Sequence, residues 1–319
     1  MAYIAEETRR DAYAKLFHDL FCHQKWNVGI VEEPIDIFLE PGAQPEVRWF
    51  MPAGRGRYLA DPFGIVRDGR TYVLCEEFDY RSYKGVIARI ELSEDGFPVS
   101  RKVAIEMPFH MSYPYVFEWQ GDIYCVPETY QAREISLYKA NEFPDSWTKV
   151  GTLVPDFAGV DPTIFSYAGL WWIACTNQDL GPHSALYLWH ARDLHGPWSP
   201  HPSNPVKRGL NGTRPAGTPF IHKGHLYRPA MDSSRTYGKR VVINRVRTLT
   251  TKEFEEEPVR AVEPFRRGGY RDGVHTLSAL GKFTLVDGLR LVFEKTEFRM
   301  ALERERQYLL GRLNALSHE

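Results

Sequence analysis

The chain repeats a short pattern of residues at intervals of about fifty residues, and this repeat constrains the fold more than any other feature of the sequence. In the first copy, Pro62 is followed by Gly69, Tyr72 and Glu76, which lie seven, ten and fourteen residues further on. Further copies keep this spacing in whole or in part, and the five copies start at residues 62, 114, 162, 217 and 274. Self-similarity at such a period indicates a repeat architecture, in which stacked units bury a common core.

Each unit contains two short apolar strands joined by a turn at glycine, as in DPFGIVRDGRTYVLCEE, which starts at Asp61. Runs rich in Tyr, Val, Ile and Trp on both sides of such a turn are the signature of a β-hairpin. Further strand-like runs follow within the units, such as ISLYKA and ALYLWHA. Four short strands per unit, repeated around an axis, are typical of a β-propeller. The sequence therefore predicts an all-β fold with a five-bladed β-propeller over residues 25–294.

The two ends of the chain lie outside the repeats and carry apolar residues at helical spacing. We expect an amphipathic helical segment over residues 1–24 and an amphipathic C-terminal helix over residues 295–319. Two roles stay open for these helices. They either dock on the side or rim of the propeller or join two copies of the chain in a homodimer.

Composition excludes several partners. The chain has 40 Lys and Arg residues against 41 Asp and Glu residues, so no overall positive field attracts nucleic acid or an anionic membrane. No run of 18 apolar residues is present, and the start of the chain is charged where a signal peptide needs an apolar stretch. We expect a cytoplasmic protein with no membrane span. Cys75, Cys125 and Cys175 lie in apolar strand-like runs, without zinc-site spacing, and are expected to be buried free thiols.

The hairpin geometry predicts where polar side chains meet. A hairpin that turns at its seventh residue returns to its starting level at about the fourteenth, so these two positions share one end of a blade. Because the first strands of all blades line the central channel, residues from every blade converge on one mouth. The predicted group at this mouth is Asp61, Glu76, Glu77, Tyr113, Glu128, Asp161, Thr176, Asn177, Arg214, Asp232, His275 and Asp287.

Clustered carboxylates in a concave mouth suit glycosidic-bond chemistry, which needs one ionised carboxylate as base or nucleophile and one protonated carboxyl as acid. A second interpretation is that these residues form turns and cap hairpin ends. The basic strip GRGRY, which contains Arg55 and Arg57, directly precedes Asp61. It either holds a phosphate or carboxylate or is a solvated loop.

The ordered segments KWNVGI, ADPF, SYPYVFE, VPET, VDPTIF, NGTRPAGTPF, HLYRPAMDSSRTYG and GVHTL resemble the N-terminal domain of plant glucosamine inositolphosphorylceramide transferases and its bacterial relatives. The resemblance covers roughly residues 25–290. The glycosyltransferase module that follows this domain in the plant proteins is expected to be absent. ADPF and DLHGPWSPHPSNPV also resemble five-bladed furanosidase-type propellers, such as arabinanases, levansucrases and invertases.

The furanosidase resemblance implies roles for individual residues. Asp61 occupies the position of the Asp that acts as general base or nucleophile, and Asp161 occupies that of a Glu general acid. Tyr113 stands where those enzymes keep an Asp that tunes the acid, and Glu128 is an alternative acid. His275 resembles a fifth-blade His that holds a central water or calcium ion in some relatives.

Together, the residues and the resemblance predict a carbohydrate-active propeller that hydrolyses or transfers a glycosidic bond of a sugar or glycoconjugate. The predicted catalytic residues are Asp61, Glu128 and Asp161. The predicted substrate-binding residues are Arg57, Glu77, Tyr113, Arg214, Arg228, Asp232 and His275. No cofactor is predicted, with a central calcium ion near His275 as the alternative. Catalysis itself is not fixed by the sequence: a non-catalytic carbohydrate-recognition propeller serving a glycosyltransferase and an enzyme of specialised biosynthesis stay open.

Overall fold

A computed structural model gives the structure of the chain. It describes residues 23–234, 236–293, 298–300, 302, 303 and 306. In this part of the chain, antiparallel strands form five sheets of four or five strands, and successive sheets use successive segments of the sequence. The predicted five-bladed β-propeller is therefore confirmed.

The strands are numbered in chain order and grouped into blades I to V. The first two, which belong to blade V, are β1 (His23–Val31) and β2 (Val47–Trp49). Blade I contains β3 (Arg57–Arg67), β4 (Arg70–Asp79), β5 (Lys84–Leu92) and β6 (Pro98–Ile105). Blade II contains β7 (Ser112–Trp119), β8 (Asp122–Glu128), β9 (Ile135–Glu142) and β10 (Ser146–Val154).

Blade III contains β11 (Gly159–Tyr167), β12 (Leu170–Asn177), β13 (Ala185–Ala191), β14 (Ser199–Pro200) and β15 (Lys207–Arg208). Blade IV contains β16 (Asn211–Pro215), β17 (Phe220–His222), β18 (His225–Asp232), β19 (Arg240–Leu249) and β20 (Phe254–Val262). Blade V is completed by β21 (Leu277–Leu280) and β22 (Phe283–Val292). Two short 3-10 helices lie at Ile35–Leu39 and Tyr130–Ala132.

The ring of blades is closed by the N-terminal strand. β1 pairs antiparallel with β22 from His23 opposite Val292 to Val31 opposite Thr284. The first strands of neighbouring blades also contact one another, as β3 does with β7 and with β21. A parallel bridge joins Gly217, just after β16, to Leu277 in β21. Blade V is thus built from both ends of the described chain, which ties the first strand to the last.

The predicted hairpins have the predicted turns and register. In four blades both central turn residues have positive φ, as in type I′ turns, whose twist matches that of the strands. These pairs are Asp68 and Gly69, Gln120 and Gly121, Ala168 and Gly169, and Lys223 and Gly224. The fourteen-residue spacing predicted that the start of the first strand lies opposite the end of the second strand, and this is also confirmed. The cross-strand partners there are Ala60 and Glu76, Ser112 and Glu128, and Val160 and Thr176.

The first strands of blades I, II and III carry the same irregularity at the same place. Each shifts register next to a proline, and the residue before that proline has a left-handed backbone, with φ of 51° at Asp61, 46° at Tyr113 and 50° at Asp161. Such a conformation is uncommon for residues other than glycine. A bulge of this kind re-aims the side chain, and in these three blades it does so at Asp61, Tyr113 and Asp161.

The predicted terminal helices stay predictions. Residues 1–22 lie outside the described residues, and so does most of 295–319, where the backbone is helical at 298–300, 302, 303 and 306. No helix among the residues described is both long and apolar enough to cross a membrane. Cys75, Cys125 and Cys175 are buried free thiols, as predicted.

Candidate functional site

Five carboxyl groups meet at one end of the channel, together with one guanidinium and one imidazole. They come from blades I, II, III and V, and Arg214 comes from blade IV. We call this set the channel acid group, and its members are Asp61, Glu76, Glu128, Asp161, Asp287, Arg214 and His275. The carboxyl-bearing residues and His275 are each less than 10% exposed. The predicted convergence of polar residues from all five blades is therefore present.

Asp287 is the central acceptor of the blade I and blade V side of the group. Its Oδ1 accepts the backbone N–H groups of His275 and Thr276, at 2.9 and 3.0 Å. Its Oδ2 accepts the backbone N–H of Asp61 at 3.1 Å and lies 2.5 Å from Nδ1 of His275. All four lone-pair directions of this carboxylate are thus used inside the protein.

Asp61 is held from two sides. Its Oδ1 accepts a hydrogen bond from the Thr276 hydroxyl at 2.8 Å and lies 3.7 Å from Nδ1 of His275. Burial is the largest influence on its pKa and raises it to about 6, with Asp161 and Asp287 adding to the rise and His275 and Thr276 opposing it. Asp61 is therefore a carboxyl group that changes its charge close to neutral pH.

Burial opposes protonation of His275, but the carboxylates of Asp287 and Asp61 outweigh it and raise the pKa of His275. The indole of Trp26 stacks on the imidazole, with 3.9 Å between ring centroids and 12° between planes. A π face in this position stabilises an imidazolium. Trp26 lies on β1, so the strand that closes the ring also supplies one wall of the site.

Arg214 and Asp161 form a bidentate ion pair across blades III and IV, with Nε to Oδ2 at 2.5 Å and Nη2 to Oδ1 at 3.0 Å. Glu128 accepts the backbone N–H of Asp161 at 2.9 Å and lies 4.0 Å from Arg214. Burial raises the pKa of Asp161 to about 7, although the Arg214 guanidinium acts in the opposite direction. Both oxygens of Asp161 are therefore engaged by one guanidinium.

Glu76 has a different environment. Its carboxyl group accepts no hydrogen bond from the described residues and lies near the imidazole of His110, with 3.7 Å between Oε1 and Nε2. Burial, followed by the charges of Asp61, Glu128 and the other carboxylates, raises the pKa of Glu76 well above its usual range. Glu76 is thus the member of the group that is best placed to stay protonated at neutral pH.

Three aromatic or imidazole side chains that the sequence analysis did not select also border the group. The ring of Tyr237 lies 5.2 Å from the Arg214 guanidinium and 5.5 Å from the rings of His183 and His275. Trp26 and Tyr237 occur in the segments KWNVGI and HLYRPAMDSSRTYG, which carry the family resemblance. Neither follows the hairpin spacing, so their positions could not be derived from the repeat.

Two predicted binding residues of blade I pair with each other instead of joining the group. Arg57 donates to Asp79 at 2.9 Å and to Glu77 at 3.0 Å, and Glu77 also lies 3.4 Å from Arg101. Glu76 and Glu77 are consecutive residues of β4, and consecutive strand residues point to opposite faces. Glu76 therefore enters the group, while Glu77 belongs to a separate ion-pair network.

Two predicted binding residues of blade IV also have other partners. Arg228 donates to both oxygens of Glu256, at 2.9 and 2.6 Å, and both side chains are 2% exposed. Asp232 accepts from Arg240 at 2.8 Å and from the backbone N–H of Ser234 at 3.0 Å. Neither is brought to the channel acid group.

Tyr113 lies in the channel and is fully buried. Its hydroxyl accepts the Gly217 N–H at 2.7 Å and shares a 2.8 Å hydrogen bond with Thr163. Its ring meets Phe63 edge to face at 4.8 Å. Tyr113 thus connects blades II, III and IV below the carboxylates.

One subset of the group has the spacing of a metal site. Ligand atoms of Asp61, His275 and Asp287 lie within 4.8 Å of one another. Calcium takes six to eight oxygen ligands, whereas this set offers a nitrogen and an Asp287 carboxylate whose oxygens already accept protein hydrogen bonds. The donor set in this conformation does not suit a calcium ion.

Comparison with known proteins agrees with the resemblance found in the sequence. Residues 51–269 match the family described as "Glucosamine inositolphosphorylceramide transferase 1, N-terminal". The chain belongs to this family. A family relative, glucosamine inositolphosphorylceramide transferase 1 of Oryza sativa subsp. japonica, is 32% identical over 238 residues, which are 72% of this chain and 32% of the rice protein. The chain thus matches about a third of the length of this curated relative.

Solved structures with similar folds include glycoside hydrolases. A family 117 glycoside hydrolase of Zobellia galactanivorans has a TM-score of 0.53 at 15% identity, covering 85% of this chain and 91% of its own. An α-L-arabinofuranosidase of Podospora anserina, solved with cellotriose, has a TM-score of 0.54 at 11% identity, covering 75% and 93%. At these identities the likeness concerns the fold. It confirms the expected furanosidase-type propeller architecture for this family member.

Proposed function

We propose that the channel acid group acts on a glycosidic bond of a sugar or glycoconjugate, either by hydrolysis or by transfer to an acceptor. The observation that carries this proposal is the contrast between Asp61 and Glu76, two buried carboxyl groups of the same hairpin. A hydroxyl and an imidazole hold Asp61, while Glu76 has neighbouring carboxylates and no hydrogen-bond donor from the described residues. Carboxyl groups whose environments separate their protonation states are what acid–base cleavage of a glycoside requires.

In this proposal Asp61 is the base or nucleophile. With its pKa raised to about 6, it is largely ionised at neutral pH, and the Thr276 hydroxyl fixes one of its oxygens. Glu76 is the general acid, because its pKa is raised well above its usual range. This assignment replaces the expected acids Glu128 and Asp161, whose oxygens bind a backbone N–H and the Arg214 guanidinium.

The other members of the group would hold the substrate and the charges around it. Arg214 and the ring of Tyr237 lie beside the carboxylates, and an aromatic ring beside a guanidinium offers a sugar both stacking and hydrogen bonds. The names of similarly folded proteins, a glycoside hydrolase and an arabinofuranosidase, and the transferase name of the family support a carbohydrate ligand.

A non-catalytic carbohydrate-recognition role is the second candidate, and one observation favours it. The carboxylates of Asp161 and Asp287 are already satisfied by Arg214, by His275 and by backbone N–H groups. A site whose charges are neutralised internally can bind a sugar without acting on it.

The test uses p-nitrophenyl α- and β-glycosides of common pentoses and hexoses, with release of p-nitrophenolate as the signal and glycerol as a transfer acceptor. Wild type is compared with Asp61→Asn and Glu76→Gln, and with Asp95→Asn on an exposed turn as control. On the p-nitrophenyl glycosides we expect Asp61→Asn to lose at least about a thousandfold in kcat/KM, while the control keeps wild-type activity. Glu76→Gln should lose less on these substrates, because p-nitrophenolate leaves without a proton, and should lose at least about a thousandfold on the matching methyl glycosides, whose alkoxide leaving group needs one. Equal turnover by wild type and Asp61→Asn contradicts the proposal. Binding of a glycoside without turnover in any variant, seen by calorimetry, supports recognition instead.

A further inference from the structure

His110 lies beside Glu76 on the segment that joins β6 to β7, and its ring has one fixed orientation. The backbone N–H of Gly85 donates to its Nδ1 at 2.9 Å, and its own backbone N–H donates to Gln131 at 2.9 Å. A ring nitrogen that accepts an N–H carries no proton, so the neutral ring carries its proton on the other nitrogen. That nitrogen, Nε2, lies 3.7 Å from Oε1 of Glu76.

The close approach of these groups depends on a residue without a side chain. A Cβ atom at Gly85 would lie 2.6 Å from Oε1 of Glu76, 2.6 Å from the Met111 carbonyl oxygen and 2.9 Å from Cε1 of His110. Any other residue at position 85 would therefore push the carboxyl group and the imidazole apart. Strand β5 is thus shaped to let both side chains pack against its backbone.

We propose that His110 is a positioning residue, which directs its Nε2–H at Oε1 of Glu76 and leaves Oε2 to carry the proton that Glu76 transfers. This inference rests on the proposed function, because it deepens the role of Glu76 as acid. A carboxylic acid has one carbonyl oxygen and one O–H. At 3.7 Å the N–H of His110 is too far from Oε1 for a hydrogen bond, but the positive end of its dipole still favours the carbonyl oxygen at Oε1. The proton then lies on the oxygen that is not directed at the imidazole.

The surroundings of the pair agree with a neutral imidazole. Burial and the positive charge of Arg214 lower the pKa of His110 to about 4, so the ring does not compete with Glu76 for a proton at neutral pH. The charges with the largest effect on Glu76 are carboxylates, and each favours its protonated form: Asp61 on β3, Glu128 on β8, Asp161 on β11 and Asp287 on β22. The hydroxyls of Tyr58 and Tyr237 also interact with the charge of Glu76.

The first test reads the tautomer directly and needs no substrate. In protein labelled with 15N-histidine, the ring nitrogen shifts of His110 should show a neutral Nε2–H tautomer from pH 5 to pH 8. An Nδ1–H tautomer, or a charged ring in this range, overturns the proposal.

The second test compares two variants that each keep half of the imidazole. In His110→Asn the side-chain oxygen still accepts the Gly85 N–H, but no N–H dipole faces Oε1 of Glu76. In His110→Gln the amide reaches the position of Nε2. With 13C-labelled Glu carboxyls, we expect His110→Asn to move the titration midpoint of Glu76 to higher pH, because the N–H dipole that faces the carboxylate has been removed. His110→Gln should stay closer to wild type. His195→Asn, at an exposed site, is the control, and an unchanged midpoint in His110→Asn overturns the proposal.

Failure of the proposed role of His110 can be distinguished from failure of the proposed function. On a glycoside that the wild type cleaves, His110→Asn should lose roughly tenfold in kcat with KM little changed, and His110→Gln should recover part of the loss. If the tautomer and midpoint are as expected but Glu76→Gln turns over normally, the orientation by His110 stands and the acid role of Glu76 falls.

Discussion

The backbone N–H of Asp61, in the first blade, donates a hydrogen bond to Oδ2 of Asp287, in the last blade, across 226 residues of sequence. The same carboxylate holds His275 and Thr276. The polar mouth of the channel is therefore also a point where the ring of blades is joined. Residues proposed for chemistry and residues that close the fold share one network here.

We expect Asp287→Asn to destabilise the protein strongly. The amide nitrogen of Asn cannot accept the N–H groups that now bind the second oxygen, and His275 loses its partner. Breaking a buried charged pair in this way costs about 3–5 kcal/mol. The free energy of unfolding, measured in urea, should fall by this amount, whereas Asp95→Asn should change it by less than about 0.5 kcal/mol. A loss in Asp287→Asn as small as that of the control would show that the network does not join the blades.

A pair of glycine substitutions tests the junction of blades IV and V. Gly217 has φ of +124°, and a Cβ there would lie 1.7 Å from the Leu277 carbonyl oxygen. Gly224 has φ of +77° with no atom within 4 Å of its Cβ position. We expect Gly224→Ala to cost about 1–2 kcal/mol from backbone strain alone. Gly217→Ala should cost more than about 4 kcal/mol or prevent folding. Similar melting temperatures for the two variants would contradict the close approach at Gly217.

The ion pair of Arg228 and Glu256 is predicted to serve stability and not the site. Lys207 also contacts Glu256 at 2.8 Å. Glu256→Gln should lose about 3–5 kcal/mol of unfolding free energy, because it leaves buried cations without a full counter-charge. The double variant Arg228→Met with Glu256→Met should lose less than Glu256→Gln. Glycoside binding by the folded double variant should equal that of wild type, and a selective loss of binding would return Arg228 to the site.

Stability is expected to fall as pH rises above about 4. The folded-state pKa values of Asp61 and Asp161 are about 6 and 7, against an ordinary 3.8, and that of Glu76 is also raised. The folded protein thus holds these protons more tightly, and the stabilisation is lost as pH rises through each folded pKa. The raised pKa of His275 changes stability in the same direction. The stabilisation from protonated His275 is complete below pH 6.5 and is lost as pH rises above the folded-state pKa.

At low pH the dependence is reversed, and stability is expected to fall as the pH falls. Asp79, Asp232 and Glu256 have lowered pKa values, so their stabilisation is present above their ordinary pKa and lost as pH falls through the folded one. The melting temperature should therefore be highest near pH 4, which scanning fluorimetry from pH 3 to pH 8 can measure. Asp61→Asn should flatten the decline between about pH 4 and pH 6, the interval between its ordinary and its folded pKa. A melting temperature that rises steadily to pH 8 would contradict the raised pKa values.

Much of the candidate site could be predicted because the hairpin repeat determines which residues lie at the same end of each blade. The spacing of Asp61 and Glu76, and of the corresponding residues in the next two blades, correctly predicted which residues of the two hairpin strands lie opposite each other. It did not separate Glu76 from Glu77, because the face of a strand residue depends on a register that the bulge at Asp61 shifts. His110 and Tyr237 lie in connections between strands, and no periodic pattern places a loop residue.

The sequence by itself determined the number of blades, the glycine turns and the convergence of carboxyl groups, because these follow from local spacing repeated along the chain. The tertiary structure alone decided the partners of each charge. Arg214 binds Asp161 of the neighbouring blade III, while Arg228 binds Glu256 of its own blade IV, a difference that depends on the way each side chain points in the folded protein. The protonation states also depend on the tertiary structure, since burial and charges from other blades set the pKa values of Asp61, Glu76 and Asp161.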